Sequence, residues 1–175
     1  VSIQNITLYT DGAYSVKTKT GGYAYFLKSD KAEKLVHGQI KEGPISAPRM
    51  ELLAAILGLE AIRIPAHVII ICDATYVTQP INLERGYDLS CMVQNPDRPN
   101  LDLWLRLKRA SEFHLSLTAQ YVKSHSGNRY NDLVDEHAKK EAGTWTEKCQ
   151  RSKDKQNLQR ISRRSKSKAS PEPKQ

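Results

Sequence analysis

The sequence predicts a mixed α/β domain, with five strands in one sheet flanked by helices, in the order β-β-β-α-β-α-β-α. Three observations predict it. Three short strand patterns come first, close enough together for an antiparallel meander. Helical and strand patterns then alternate, which implies helices lying on the faces of a sheet. Finally, the run His67–Cys72 is continuous and β-branched, as expected of a central strand covered on both faces.

Ile3–Thr10 alternates Ile3, Ile6 and Leu8 and is expected to end in a turn at Asp11-Gly12. Gly22–Leu27 is aromatic and bounded by turn residues, and Lys34–Ile40 supplies Leu35, Val36 and Ile40 for a third strand. Arg49–Ile62 follows Pro48, a residue suited to the first helical position. Its apolar residues at 50, 52, 53, 56, 57, 59 and 62 cover most of the circumference, so the helix is expected to be buried. After His67–Cys72, Leu101–Phe113 reads as a helix and Leu115–Val122 as an alternating strand. Tyr130–Ala142 reads as the last helix, capped at Asn131.

The chain has 175 residues and a formal net charge of +8. That charge is not spread evenly. Residues 147–175 hold ten Lys/Arg against three acids, whereas 1–146 hold 17 against 16. The last 29 residues have only Leu158 and Ile161 as large aliphatics, too little apolar area to offset ordering. The expected organisation is a domain over 1–146 and a basic tail over 147–175, disordered or a fraying helix.

Three cysteines, Cys72, Cys91 and Cys149, at wide spacings exclude a disulfide framework and a zinc ribbon. They point to a reducing, intracellular setting, cytoplasmic or nuclear. The longest apolar stretch, Leu52–Leu59, is far short of the roughly 20 residues of a membrane span. The start at Val1 fits a removed initiator or a piece of a longer protein. No Walker phosphate loop, HExxH pattern or Ser-His-Asp ordering is present, which removes nucleotide hydrolase and protease classes.

Acids fall where chemistry often happens. Asp11 ends the first strand, Asp73 ends the apolar central strand, and Glu51 lies early in an otherwise apolar helix. Asp135 shares a face of the last helix with Ala138 and Ala142. Acids at buried strand ends are costly unless their charge is compensated, and a divalent cation is the usual compensation. Hard oxygen ligands select Mg²⁺ or Mn²⁺ over zinc. Four carboxylates are enough for two ions about 3.5–4 Å apart, the arrangement of phosphodiester hydrolysis. Singly, each acid also has an ordinary reading: a turn at Asp11, a helix-dipole partner at Glu51, an N-cap at Asp73, a surface acid at Asp135. Spacing alone does not bring the four together.

The stretches Tyr9-Thr-Asp-Gly-Ala-Tyr14, Arg49-Met-Glu-Leu-Leu-Ala-Ala-Ile-Leu-Gly-Leu-Glu-Ala-Ile62, Ile71-Cys-Asp-Ala-Thr-Tyr-Val77 and Val122-Lys-Ser-His-Ser-Gly-Asn-Arg-Tyr-Asn-Asp-Leu-Val-Asp-Glu-His-Ala138 resemble type 1 ribonuclease H. The four blocks occur in that family's order and spacing, each with its acid. The resemblance implies a ribonuclease H-like fold and endonucleolytic cleavage of the RNA strand of RNA–DNA hybrids. It implies two ions, Mg²⁺ or Mn²⁺, held by Asp11, Glu51, Asp73 and Asp135, with Asp135 rather than Asp132 marked by its spacing from Asn131. It makes His125 the histidine that positions or protonates groups as product departs, and places substrate contacts at Gly12, Ala13, Arg49, Thr75 and Asn131. It further implies 5′-phosphate and 3′-hydroxyl products, a hybrid as partner, no membrane and a monomer.

The sequence departs from the family on the substrate side. Ala47 and Pro48 stand where two Asn are frequent, Thr75 where Gln is, and Ser15–Thr20 replaces a Gly/Pro-rich turn. Residues 79–100 carry only Arg85 and Arg98 against Glu84, Asp88 and Asp97, where many members carry a basic protrusion. The basic tail is a candidate replacement for that lost affinity, against the plainer readings of a solubilising segment or a localisation signal at 163–166. Three other functions compete: a silent nucleic-acid-binding module of the same fold, a related nuclease or integrase acting on DNA, and the hybrid-degrading part of a larger reverse transcriptase. A silent relative usually lacks one or more of the acids, and all four are present.

Overall fold

The computed structural model describes residues 3–83 and 88–168. The chain divides between Thr144 and Trp145 into two compact units. The first contains strands β1 (Asn5–Ser15), β2 (Thr20–Lys28), β3 (Glu33–Ile40), β4 (His67–Cys72) and β5 (Ser116–Tyr121). Its helices are α1 (Ala47–Ala61), α2 (Thr75–Ile81), α3 (Leu89–Gln94), α4 (Leu101–Glu112) and α5 (Arg129–Ala142). The strands form one sheet in the order β3-β2-β1-β4-β5. β1, β2 and β3 pair antiparallel, while β4 runs parallel to both β1 and β5. This is the five-stranded mixed sheet expected from the sequence.

Alternation along the strands supplies one core on each face of the sheet. Leu8 of β1 and Ile70 of β4 face Leu52, Ile56 and Leu59 of α1, with Trp104 and Leu107 of α4 completing that cluster. Their neighbours Tyr9 and Ile71 face the other way, where Val134, Ala138 and Ala142 of α5 cover them. α1 is buried around much of its circumference because the sheet takes one side and α4 another. Cys72, deep in β4, is a free thiol that burial pushes up to about 12.

The structure differs from the sequence reading at several places. Asp11 and Gly12 are not a turn: β1 continues to Ser15, and the turn follows at residues 16–19. Asp11-Gly12 stays extended because β2 pairs with it, Asp11 opposite Ala24 and Gly12 opposite Tyr23. α1 starts at Ala47, with Ser46 as its N-cap, so Pro48 is the second helical residue. α5 is capped by Asn128, whose side chain accepts from the N–H groups of Tyr130 and Asn131. A short helix, α2, does follow Asp73, but its N-cap is Ala74, so Asp73 is not the cap; α3 has no counterpart in the sequence reading because six residues are too few for a helical period to show. Residues 84–87, which include Glu84 and Arg85, lie outside the described residues.

In the second unit, α6 spans Glu147–Lys168. Its two large aliphatics, Leu158 and Ile161, are exposed. Glu147 pairs with Arg151 one turn on, and the Lys153 ammonium stands 5.9 Å from the centre of the Trp145 ring. Residues 169–175 lie outside the described set. Among the described residues no helix is long and apolar enough to cross a membrane.

Candidate active site

β1 and β4 pair in parallel as far as Tyr9 opposite Ile71. Continuing that register by two residues sets Asp11 against Asp73, just past the last β4 residue. The third acid comes from α1. The position a Gly12 Cβ would occupy lies 2.3 Å from the Glu51 N and 2.3 Å from the Met50 carbonyl carbon. Only a residue without a side chain lets the α1 backbone come that close, and this contact seats Glu51 beside Asp11. One carboxylate oxygen from each of Asp11, Glu51 and Asp73 lies within 4.8 Å of the others.

These acids line a cleft of ≈ 430 Å³ together with Gly12, Ala13, Tyr14, Ser124, Asp135, Lys139 and Thr144. The Asp11 carboxyl sits well above the ordinary carboxylate range, first because it is buried and then because Asp73 and Asp135 repel its charge. Glu51 is raised in the same sense by burial, then by Asp11 and Asp73. The Gly12 N–H opposes both shifts. Glu51 Oε2 is buried without a hydrogen-bond partner. Ser124 donates its hydroxyl to Asp73 Oδ2. An orphaned carboxylate oxygen among three converging acids is the environment that a hard divalent cation stabilises, so the residues present fit such an ion.

The fourth acid is held differently. Asp135 lines the same cleft but stands outside the three-acid group, and its Oδ1 lies 2.6 Å from Lys139 Nζ. α5 carries both residues. Its seat on the sheet is set at Gly22, whose Cβ position would lie 2.1 Å from the Ala138 carbonyl oxygen and 2.5 Å from the Ala142 N. His125 is exposed on the loop between β5 and α5, with φ of 55°, and does not line the cleft. Its neighbour Ser124 does.

The expected substrate contacts separate into three groups. Gly12 and Ala13 line the cleft. Arg49 is engaged elsewhere: its guanidinium makes a two-pronged ion pair with Asp102 of α4 and a 3.3 Å bond to Asn100 Oδ1. Thr75 is exposed at the start of α2, away from the cleft lining. Asn131 is buried, one helical turn before Asp135, and its Oδ1 has no partner. Tyr14, Ser124, Lys139 and Thr144 were missed by sequence reasoning. Of these only Lys139 had a readable signal, its four-residue spacing from Asp135.

Fold and site together define an α/β domain with a carboxylate cluster able to hold a metal ion at the carboxyl end of its parallel strands. Comparison with known proteins makes this specific. The RNase H family model matches residues 3–143. The chain is 35% identical over 147 residues to a ribonuclease H of Pseudoalteromonas translucida, covering 81% of this chain and 92% of that one. It is 33% identical to a ribonuclease H of Agrobacterium fabrum, covering 79% and 94%. Among solved structures, LC9-RNase H1, described as a type 1 RNase H with the type 2 active-site motif, superposes with a TM-score of 0.69 at 19% identity. That match covers 83% of this chain and 75% of the other, and at this identity it shows the fold alone. The chain belongs to the RNase H family, a family of divalent-metal-dependent hydrolases acting on RNA–DNA hybrids.

Proposed function

We propose that this chain is an endonuclease that hydrolyses the RNA strand of RNA–DNA hybrids in the Asp11–Glu51–Asp73 cleft, leaving 5′-phosphate and 3′-hydroxyl ends. The observation that carries the reading is the convergence of those three carboxylates within 4.8 Å in a chain of this family. Asp11, Glu51, Asp73 and Asp135 hold two Mg²⁺ or Mn²⁺ ions. When bound, these ions supply activation of the attacking water and stabilisation of charge on the leaving oxygen.

The remaining tasks fall to the chain itself. Ser124 orients the Asp73 carboxylate through its hydroxyl. The close seat of α1 on Gly12 keeps Glu51 and Asp11 at a fixed separation, so that the site is organised before substrate arrives. Gly12, Ala13 and Tyr14 form a rim along which a substrate backbone is laid. His125, on its exposed loop, delivers or accepts a proton near the departing group. Selection of RNA over DNA falls on the ribose 2′-hydroxyl, and base sequence is not read, because phosphate and sugar contacts position without specifying. Asn131 and Thr75 are assigned to the substrate side as well. Arg49 is kept on the substrate side too, and its ion pair with Asp102 supports the start of α1. The basic segment 147–175 adds salt-dependent affinity for the hybrid.

The test offers labelled RNA–DNA hybrid, double-stranded RNA and DNA duplex with Mg²⁺, then with EDTA, and repeats the series with Asp73→Asn. Cleavage of the hybrid alone, abolished by EDTA and by the substitution, is expected. Hybrid cleavage that survives either treatment rejects the metal-dependent mechanism. No cleavage of any substrate under any condition identifies a silent binding module instead.

A further inference from the structure

The four acids of the cleft differ in how their charge is balanced. Among the described residues, no lysine or arginine pairs with Asp11, Glu51 or Asp73. Asp135 is the exception, with the Lys139 ammonium 2.6 Å from its Oδ1. Both side chains are partly shielded, at 12% exposure for Asp135 and 30% for Lys139, and both line the cleft. The ammonium is also close enough to Asp11 to favour that carboxylate's charged form. One positive charge of the protein's own therefore stands among the four acids, on the one carboxylate that lies outside the three-acid group.

We propose that Lys139 is a positioning residue that occupies Asp135 as a built-in counter-cation and thereby weakens the cleft's hold on divalent metal. The inference rests on the reading that these acids bind metal. Its physical basis is competition. A dication approaching Asp135 must displace an ammonium already on Oδ1, and it also meets that group's charge. The α5 backbone is seated directly on β2 at Gly22, where not even a Cβ would fit between them, so the Asp135–Lys139 pair is carried on a helix already in close contact with the sheet. Rotation of the Lys139 side chain, a flexible four-carbon stem ending in a single point charge, is the simplest route of exchange. Lysine thus keeps Asp135 compensated before metal arrives and can still let go. Arginine at the same place would hold the carboxylate through two parallel bonds and release it less readily.

The experiment titrates Mn²⁺ into the full chain by calorimetry, with the thermal midpoint as a second readout, for the wild type, Lys139→Met, Lys139→Arg and Asp73→Asn. Removing the competing charge is expected to lower the half-saturating metal concentration of Lys139→Met by about threefold to tenfold, a range set by the strength of partly exposed charge pairs. Lys139→Arg is expected to match the wild type or bind more weakly. A merely structural helix pair would shift only the metal-free thermal midpoint. Unchanged or weakened metal binding in Lys139→Met, with the wild type still binding and Asp73→Asn impaired, overturns the proposal. No metal binding by the wild type, or full binding by Asp73→Asn, would instead overturn the underlying site reading.

Discussion

Gly12→Ala puts the architecture of the site under direct load. The new Cβ would lie 2.3 Å from the Glu51 N, 2.3 Å from the Met50 carbonyl carbon and 2.6 Å from its oxygen. Ordinary contact begins near 3.4 Å, so about 1.1 Å must be recovered. All three obstructing atoms are α1 backbone, and no rotamer change relieves them. Either α1 lifts from β1 or β1 bends. Overpacking of this kind costs about 2–3 kcal/mol, and for a chain of this length each kcal/mol lowers the unfolding midpoint by about 2–4 °C. The movement also carries Glu51 away from Asp11 by about 1 Å, a displacement that typically costs about 10²-fold in rate. Thermal unfolding without metal and hybrid cleavage at saturating Mg²⁺ measure the two effects separately. A variant that melts with the wild type and cleaves at an undiminished rate would refute the claim that this backbone contact sets the site.

The raised carboxyls of Asp11 and Glu51 make metal-free stability depend on pH. Both groups release protons at lower pH in the unfolded chain than in the folded one. Their contribution is therefore complete below the ordinary carboxylate value and is lost as pH rises through the raised folded value. Metal-free protein should melt at a lower temperature at neutral than at mildly acidic pH through this contribution, and Asp11→Asn should flatten the slope; an identical slope in the variant argues against it. Arg49→Ala and Asp102→Ala should show a coupling of about 1 kcal/mol in a double-mutant cycle on unfolding, whereas additive effects would mean that the pair does not brace α1 against α4. Deleting 147–175 should raise KM for hybrid at low salt and flatten its salt dependence; if both stay unchanged, the basic segment has no part in binding.

Much of the scaffold was legible because local pattern reports local burial. The β-branched run 67–72 reads as a covered strand, and it is β4, an interior strand flanked by β1 and β5. The circumferential apolarity of α1 followed from its place between the sheet and α4. Legibility failed where the deciding contact was remote. Asp11-Gly12 has turn chemistry locally, yet pairing with β2 keeps it in a strand. Asn131 sits at the right place for a cap, but Asn128 has its side chain on the free N–H groups. Arg49 stands within a block that resembles the family's substrate side, and nothing in its local sequence announces its ion pair with Asp102, 53 positions away.

The sequence by itself determined the order of the five strands and the three long helices among them, the placing of seven of the eight net positive charges in the last 29 residues, and, through four collinear blocks, the family and the acids those blocks carry. These depend on composition, on period and on residues near one another in the chain. Tertiary structure alone decided how the acids stand to one another. The parallel register of β1 and β4 sets Asp11 against Asp73, and the side-chain-free surface of Gly12 admits α1 with Glu51. The seat of α5 at Gly22 brings Asp135 into the cleft already paired with Lys139. Charge balance among carboxylates depends on separations of a few ångströms between elements far apart in sequence, and only packing sets those distances.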